Sequence, residues 1–303
     1  MVFYVYGTRG ILPAPYPAMM KYGGNTSCYF LALNNEAVIF DAGTGIRKLG
    51  EDLLKQKTFR KIYLFISHAH NDHVSGLPYF LPLYAENFEV NIYGPGEDIS
   101  SFKREIFHGV HRSTFPIPLR KWNAHVRFFP LQAKESQDPI LGNEFECSYF
   151  QLNHPVRTLG YRFQCQNKIL VYALDHEKYH EPDGTISAEA AHQNQLFLNH
   201  IQNADLYIAD GQYLPNEYKA YRGWGHATFA DCVNFAALAN VKKVMITHYD
   251  PNRTDEDLDK IYSHYFKVIR RKSIPVDLIP AMEGMSLRLH SKRFSNPYEN
   301  GEN

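Results

Sequence analysis

Three histidines and an aspartate fall within seven residues, directly after the apolar run Ile62–Ile66. Such a run predicts a buried strand, and alternate residues of an extended chain share a face, so His68 and His70 should project to the same side. The turn that follows should bring Asp72 and His73 back toward the same point. Because burying four such groups without a cation would leave polar atoms hard to satisfy, the segment predicts a metal site.

This segment, His68-Ala69-His70-Asn71-Asp72-His73, resembles the HxHxDH motif of the metallo-β-lactamase superfamily. The resemblance covers the chain from Gly7 to about Met285, because further matching pieces follow in the family's order. It implies an α+β fold with four layers, αββα, whereas the layer argument alone gives only mixed α and β structure. We expect one such domain over residues 1–295 and a frayed tail over residues 296–303.

Three further candidate ligands each follow a predicted strand. They are His154 after Phe145–Leu152, Asp175 after Lys168–Leu174, and His248 after Val244–Thr247. The resemblance then implies two divalent cations: one held by His68, His70 and His154, the other by Asp72, His73 and His248, with Asp175 as the bridge. Zinc is the expected metal, and manganese and iron are the alternatives.

Asp41 ends the strand Ala37–Phe40 and is followed by a short glycine-containing turn. By the same resemblance it orients the site without binding a cation itself. An aspartate at this position is equally compatible with an N-cap for the helix predicted over Ile46–Lys55, and the residues alone leave both interpretations open.

The segment Gly225-His226-Ala227-Thr228 lies upstream of His248 and resembles the ribonuclease Z branch of the superfamily and its small-molecule phosphodiesterase cousins. There the histidine is the general acid or the partner of a phosphate oxygen. A phosphodiester leaving group needs a proton, and histidine titrates near neutrality. His226 is therefore a candidate catalytic residue. Asp72 of the HxHxDH motif is the second candidate catalytic residue. The alternative for His226 is an ordinary position beside a helix start.

Class B β-lactamases of this superfamily usually lack the aspartates at the positions of Asp72 and Asp175 in this form. The two residues therefore argue against β-lactam hydrolysis. Lactonases, glyoxalase II-like thioesterases and phosphodiesterases keep both.

Several polar and aromatic residues are candidates for substrate binding. They are Asn25, Thr26, Ser27, Trp224 and Thr228. The first three follow two glycines, which suits a tight loop near a ligand, although a simple hairpin turn fits as well. Trp224 could stack on a base together with Tyr213 and Tyr221, or all three could be structural aromatics.

The formal net charge is zero, and we find no basic, glycine-rich arm of the kind with which ribonuclease Z enzymes grip transfer RNA. A small phosphodiester, with a cyclic nucleotide as first choice, is therefore the expected substrate, and nucleic acid is not expected as a partner. A transfer-RNA 3′-processing endoribonuclease, a lactone or thioester hydrolase, and a sensor that binds a nucleotide without cleaving it remain alternatives.

The four cysteines form no CxxC pair, the N-terminus has no signal-peptide pattern, and no apolar run reaches a membrane span of about 18 residues. These features predict a cytoplasmic protein with no membrane partner. The look-alike proteins are frequently dimers, so we expect a homodimer. His108, His111 and His125 lie among basic and aromatic residues, which favours a solvated loop or a dimer contact over a substrate-facing loop.

Overall fold

The structure is a computed structural model that describes residues 1–56, 58–108, 121–132 and 138–289. His111 and the predicted tail over 296–303 lie outside these residues. Within the described part, no helix is both long enough and apolar enough to cross a membrane.

Strands of the described residues form two sheets with seven strands each. They are β1 Val2–Gly7, β2 Cys28–Ala32, β3 Glu36–Phe40, β4 Lys61–Phe65, β5 Glu89–Pro95, β6 His125–Leu131, β7 Ile140–Leu141, β8 Glu146–Gln151, β9 Leu159–Cys165, β10 Lys168–Ala173, β11 Leu206–Asp210, β12 Lys243–Thr247, β13 Asp277–Pro280 and β14 Ser286–Arg288. The first sheet has the order β14-β1-β2-β3-β4-β5-β6, and the second has the order β13-β12-β11-β10-β9-β8-β7.

Helices lie outside the two sheets. They are α1 Ile46–Lys55, α2 Asn71–Val74, α3 Ile99–Ile106, α4 Ala188–Ile201, α5 Phe229–Leu238 and α6 Asp255–Arg271. Residues of α1 and α3 share a core cluster with the first sheet, and residues of α4, α5 and α6 pack into the cluster that also holds the second sheet. The result is the four-layered αββα arrangement that the resemblance implied.

Alternate side chains of β3 face two different hydrophobic clusters, which shows why the layers form. Val38 and Phe40 join the cluster between the sheets, whereas Ala37 and Ile39 join the cluster beneath α1 and α3. Because both faces of this strand are covered, its sequence is apolar from Ala37 to Phe40, as is usual for buried parallel strands. Across the interface, the ring of Phe40 stacks on that of Tyr172, with centroids 4.9 Å apart.

Parallel pairing fixes where the strand ends meet. β3 pairs with β4 in one sheet, and β10, β11 and β12 pair in succession in the other, all of them parallel. The carboxyl ends of parallel neighbours lie at one edge of their sheet, so residues that follow these strands gather there. Predicted ligands follow three of these five strands, β4, β10 and β12, which places them at one end of the sandwich. His154 follows β8 of the second sheet.

Two predicted elements differ from the structure. The sequence from about Glu97 to His108 predicts a helix, but the structure limits it to Ile99–Ile106, where Asp98 caps the first turn. The sequence from Gly76 through Tyr84 predicts one short helix, but the structure has two short 3-10 turns there, Leu77–Tyr79 and Leu81–Tyr84. Prolines in both turns explain this, since a proline removes a backbone donor and interrupts an α-helix.

Candidate metal centre

Backbone geometry turns three of the predicted residues inward. Asp41, Asp175 and His248 all adopt left-handed conformations, with φ values of 59°, 58° and 59°. Such values are uncommon outside glycine, but aspartate and histidine tolerate them best and they concentrate at functional sites. Each residue directly follows a strand or lies two positions beyond its end, so the reversal redirects its side chain into the space between the sheets.

One cluster consists of three histidines and an aspartate: His68, His70, His154 and Asp175. The Nε2 atom of His154 lies 3.2 Å from Nδ1 of His70, and Nε2 of His68 lies 3.4 Å from Oδ2 of Asp175. His70 is exposed, while His68 and Asp175 are buried. This half of the site is therefore open to solvent on one side, and we refer to it as the open cluster.

A second cluster, the closed cluster, is buried throughout and contains Asp72, His73 and His248. The Nε2 atoms of His73 and His248 lie 3.2 Å apart, and Nε2 of His248 lies 3.2 Å from Oδ2 of Asp72. Asp175 also reaches this cluster, because its Oδ1 atom lies 3.2 Å from Nε2 of His248. One carboxylate thus presents a different oxygen to each cluster.

The donor set fits divalent cations. Two ligands bound at about 2.0–2.1 Å to a tetrahedral zinc are about 3.3–3.4 Å apart, which is close to the nitrogen–nitrogen distances in both clusters. In addition, Nε2 of His68 and Oδ1 of Asp175 are buried without a hydrogen bond. Buried polar atoms need a partner, and a cation in each cluster would provide it.

The histidines of the open cluster have lowered pKa values, which favours metal binding. Burial lowers the pKa of His68, His70 and His154, which keeps these imidazoles neutral near pH 7. A histidine must be neutral at its ligating nitrogen to bind a metal, so this half is already in the required protonation state.

In and beside the closed cluster, neighbouring carboxylates and imidazoles shift each other's pKa values. Burial raises the pKa of Asp175, but His248, His73 and His226 outweigh burial and hold it well below its usual value. Conversely, burial lowers the pKa of His73, while Asp72, Asp175 and Asp41 raise it well above its usual value. The negative charge that would otherwise be balanced by protonated imidazoles is the charge that a bound cation would neutralise.

Asp41 orients the closed cluster and does not cap a helix. Its Oδ2 atom lies 2.6 Å from Nδ1 of His73, and Tyr172 donates its hydroxyl proton to the same oxygen at 2.5 Å. Ser67 donates its backbone N–H to the other oxygen at 2.6 Å. Helix α1 begins after Gly45 without a side-chain cap, so the capping alternative for Asp41 is wrong.

Close backbone contacts fix two further ligands. The backbone N–H of Ile11 donates to Oδ2 of Asp72 at 2.7 Å. Gly10 lies so close to His248 that a Cβ atom there would be 2.4 Å from Cε1 of the imidazole, nearer than real Cβ atoms come. A residue larger than glycine at position 10 would therefore have to displace His248.

His226 lies beside both clusters and is paired with a residue that sequence reasoning missed. Its Nδ1 atom lies 2.7 Å from Oδ2 of Asp210, the last residue of β11, and 3.9 Å from Oδ2 of Asp175. Its ring stacks on that of His248, with centroids 5.2 Å apart. Because Nδ1 is engaged by a carboxylate, Nε2 is the atom left to exchange a proton with a substrate.

Asp210 also sets the charge of His226. Burial lowers the pKa of His226, but Asp210 and Asp175 outweigh burial and raise the pKa to about 9. Cations bound beside Asp175 would repel the imidazolium and bring this pKa back toward neutrality. The available signal for Asp210 was its position after an apolar strand of the same sheet that carries Asp175 and His248.

The structure does not support substrate contacts for Asn25, Thr26 and Ser27. Asn25 donates its backbone N–H and its side-chain amide to Glu283, and Thr26 accepts the backbone N–H of Thr44 at 2.9 Å. Thr26 and Ser27 are fully buried. The hydrogen bonds of Asn25 and Thr26 attach the loop to neighbouring segments, and Ser27 is buried, so this arrangement favours a structural role for the three residues.

The aromatic and polar residues near His226 separate into two groups. Thr228 is the N-cap of α5 and accepts the backbone N–H of Asp231, which occupies its hydroxyl. Tyr213 is buried and stacks on Tyr221, with ring centroids 4.4 Å apart. Trp224 is 55% exposed. Of the predicted substrate contacts, Trp224 is the side chain that remains available to a ligand.

Comparisons with known proteins agree with this geometry. Residues 36–249 match the family model described as the beta-lactamase superfamily domain. Ribonuclease Z of Streptococcus mutans is 26% identical, over 76% of this chain and 86% of that protein. The solved structure of the short form of human tRNase Z has 18% identity and a TM-score of 0.62, covering 95% of this chain and 99% of that one.

A second solved structure, unliganded yeast PDE1, has 15% identity and a TM-score of 0.66, covering 94% of this chain and 98% of that one. At these identities the two structural similarities show the fold. The family model spans most of the chain and includes every candidate metal ligand. The chain therefore belongs to the beta-lactamase superfamily, as a hydrolase of the metallo-β-lactamase fold.

Proposed function

We propose that this protein is a metal-dependent phosphodiesterase in which His226 protonates the leaving oxygen. The observation that carries the proposal is the buried pair of His226 and Asp210 beside Asp175, the carboxylate common to both clusters. A general acid must stand within reach of the reacting group and be held in one orientation, and this pair meets the second requirement. A thioester hydrolase has less need of such an acid, because a thiolate leaves more readily than an alkoxide.

The site residues have separable tasks in this proposal. Asp72, Asp175 and the histidines of the two clusters hold two divalent cations, which when bound supply a nucleophile at neutral pH and stabilise charge on phosphate oxygens. His226 keeps its Nδ1–H on Asp210 and gives the proton on Nε2 to the leaving group. Asp41 keeps the imidazole of His73 in one tautomer, with Nε2 facing the closed cluster.

RNA processed at a 3′ end is the substrate class that the relatives favour. Streptococcal relatives named ribonuclease Z match over most of both chains. The sequence alone favoured a small phosphodiester over RNA as the substrate. The similarity to these relatives favours RNA instead, so nucleic acid is again a candidate partner. Zinc as the metal, a homodimer and a cytoplasmic location stay proposals.

A small phosphodiester is the second candidate. The observation in its favour is the balance of 32 basic and 32 acidic residues, since proteins that bind RNA backbones usually carry a basic surface. Trp224, exposed one residue before Gly225 in the loop that leads to His226, offers a surface on which a single base could stack.

One set of assays tests the proposal and separates the substrates. Purified protein, loaded with Zn²⁺ or Mn²⁺, would be given a bis-aryl phosphodiester, cyclic AMP, cyclic GMP, and a transfer-RNA precursor with a 3′ trailer. Chelator-treated protein and His226→Ala serve as controls. Metal-dependent cleavage of at least one phosphodiester is expected, with endonucleolytic removal of the trailer indicating the first class and cyclic nucleotide turnover the second.

Two outcomes would contradict the proposal. The first is an absence of metal-dependent turnover on all of these substrates, together with hydrolysis of lactones or thioesters. The second is wild-type cleavage of a cyclic nucleotide or of the transfer-RNA precursor by His226→Ala, because these leaving groups need a proton; it would remove the role assigned to the acid.

A further inference from the structure

Glu177 is a buried carboxylate that accepts an unusual number of hydrogen bonds. The side chains of Tyr218 and His180 contact its Oε1 atom, and Gly223 donates a backbone N–H to the same oxygen at 2.8 Å. Gly225 donates its backbone N–H to Oε2, also at 2.8 Å. Among the described residues, no lysine or arginine forms an ion pair with Glu177. Dipoles of N–H and O–H groups therefore balance the charge of Glu177.

Most of these donors belong to the loop that precedes the proposed acid. Tyr218, Gly223 and Gly225 lie within the eight residues before His226. The two glycines have left-handed backbones, with φ values of 83° and 86°. The loop begins with a single 3-10 turn, Tyr218–Ala220, and its remainder has no regular secondary structure, so the contacts with Glu177 contribute to defining its path.

The peptide groups of Gly225 connect Glu177 to the open cluster. While its N–H is held by Glu177, its carbonyl oxygen lies 3.0 Å from Nδ1 of His154. A carbonyl only accepts, so Nδ1 of His154 must carry the proton and Nε2 is left unprotonated toward the cluster. The fit is close, because a Cβ atom on Gly225 would lie 2.1 Å from Nδ1 of His154.

The backbone of Glu177 reinforces the same connection. Its N–H donates to the carbonyl of Asn153 at 2.9 Å, and the side-chain amide of Asn153 donates back to the carbonyl of Glu177 at 2.9 Å. Asn153 directly precedes His154, and Glu177 lies two residues after Asp175. One residue thus connects the three segments that carry His154, Asp175 and His226.

We propose that Glu177 is a positioning residue that holds the loop 218–225 against His154, so that one carboxylate sets both the ligating tautomer of His154 and the location of His226. It does not touch substrate in this role. The inference rests on the proposed function for its catalytic part, but its effects on metal binding and on the loop require no substrate.

The test compares Glu177→Gln with Glu181→Gln, a control at an exposed residue four positions away. Glutamine has the shape of glutamate, but its amide NH₂ must face one of the N–H or O–H donors. Some of the hydrogen bonds that hold the loop 218–225 are therefore lost. In metal-free protein we expect the segment 218–226 to lose hydrogen-exchange protection in Glu177→Gln. In zinc titrations we expect one of two equivalents to bind about 10–100-fold more weakly, the usual effect of losing a residue that orients a ligand.

Turnover provides the third measurement. The loaded Glu177→Gln variant should lose kcat more than KM, because the acid is displaced while substrate contacts remain. Glu181→Gln should match wild type in all three measurements. If Glu177→Gln does not fold, Tyr218→Phe removes one donor from the same carboxylate and should produce smaller changes in the same direction.

Unchanged exchange protection together with two wild-type zinc equivalents in Glu177→Gln, or in Tyr218→Phe if that variant has to be used, would overturn the inference. If wild-type protein cleaves no phosphodiester, the proposed function fails on its own. The exchange and zinc measurements would then still decide the role of Glu177.

Discussion

The Nδ1 atom of His226 lies 2.7 Å from Oδ2 of Asp210, although one residue precedes a helix and the other ends a strand of the second sheet. The carboxylate fixes the orientation of the imidazole and favours its protonated form. Both effects suit a group that must deliver a proton from Nε2, and they lead to two separate predictions.

Replacing His226 by alanine should lower kcat for a phosphodiester by about 10²–10⁴, the usual contribution of a positioned acid. Zinc content should stay at the wild-type level, because His226 belongs to neither the open nor the closed cluster as defined above. Steady-state kinetics and elemental analysis of the same sample check both statements. A substrate with a nitrophenolate leaving group should be affected least, since that group departs without a proton.

Asp210→Asn should shift the alkaline limb of the rate–pH profile to lower pH. The carboxylate raises the pKa of His226, so its removal lowers that pKa, and the acid form that donates the proton is then lost earlier as pH rises. The profile of kcat against pH is the measurement. An alkaline limb that stays in place would mean that another group donates the proton; His226→Ala, which lacks the acid, serves as the reference.

Metal removal should occur in two phases. His70 exposes the open cluster to solvent, whereas Asp72, His73 and His248 are buried. A chelator should therefore remove one cation before the other, and elemental analysis at successive times should show a plateau near one equivalent. In His70→Ala the first phase should disappear. A single phase in wild type would contradict the difference in access between the clusters.

Asp41→Asn should weaken metal binding about 10–100-fold, because an amide oxygen that still accepts from His73 and Tyr172 turns its NH₂ toward the backbone N–H of Ser67, which now donates to the other carboxylate oxygen. Tyr172→Phe removes one hydrogen bond to a charged group and should lower the free energy of unfolding by about 1.5–3 kcal/mol. Zinc titration and urea unfolding are the measurements. Tyr16→Phe, at a residue that is 62% exposed, is the control for loss of a phenol and should change neither quantity.

His176 should make the metal-free protein sensitive to acid. Burial, together with a smaller contribution from His154, lowers its pKa to about 3, whereas an unfolded histidine titrates near about 6.5. Between these values the unfolded chain binds a proton that the folded chain does not. Stability is therefore lost as pH falls from about 6.5 toward about 3, by up to about 1.4 kcal/mol per pH unit.

His176→Asn removes this contribution while its oxygen can still accept from the backbone N–H of Asn153, which now bonds Nδ1 of His176. The difference in unfolding free energy between wild type and variant should therefore shrink as pH is lowered. His192→Asn, at an exposed position, should follow wild type throughout. A difference that is independent of pH would show that His176 does not account for the acid sensitivity.

The strands beside the site and the positions of the candidate ligands could be predicted because each ligand follows an apolar run. A continuous apolar run and polar residues at its end are visible in the chain itself, as before His68 and His248. The structure brings all seven predicted side chains together; that they bind metal stays a prediction.

Other features depend on contacts that no local pattern encodes. Asn25 is held by Glu283, 258 residues away, so its loop resembles a ligand-binding loop in sequence and is a structural one in the fold. An aspartate followed by glycine after a strand, as at Asp210, is equally typical of a turn. Glu177 acts on backbone N–H groups of a distant loop, which leave no trace in residue types.

The ligands come from both sheets, and the aromatic rings between those sheets set how far apart they stand. Phe40 of one sheet contacts Phe163 and Tyr172 of the other, at centroid distances of 5.1 and 4.9 Å. A substitution that thickens or thins this layer would change the span between His68 and Asp175 without altering either residue. Variants with altered activity could therefore be sought by replacing these aromatic residues with larger or smaller ones, although they lie in the middle of the sandwich and remote from any substrate.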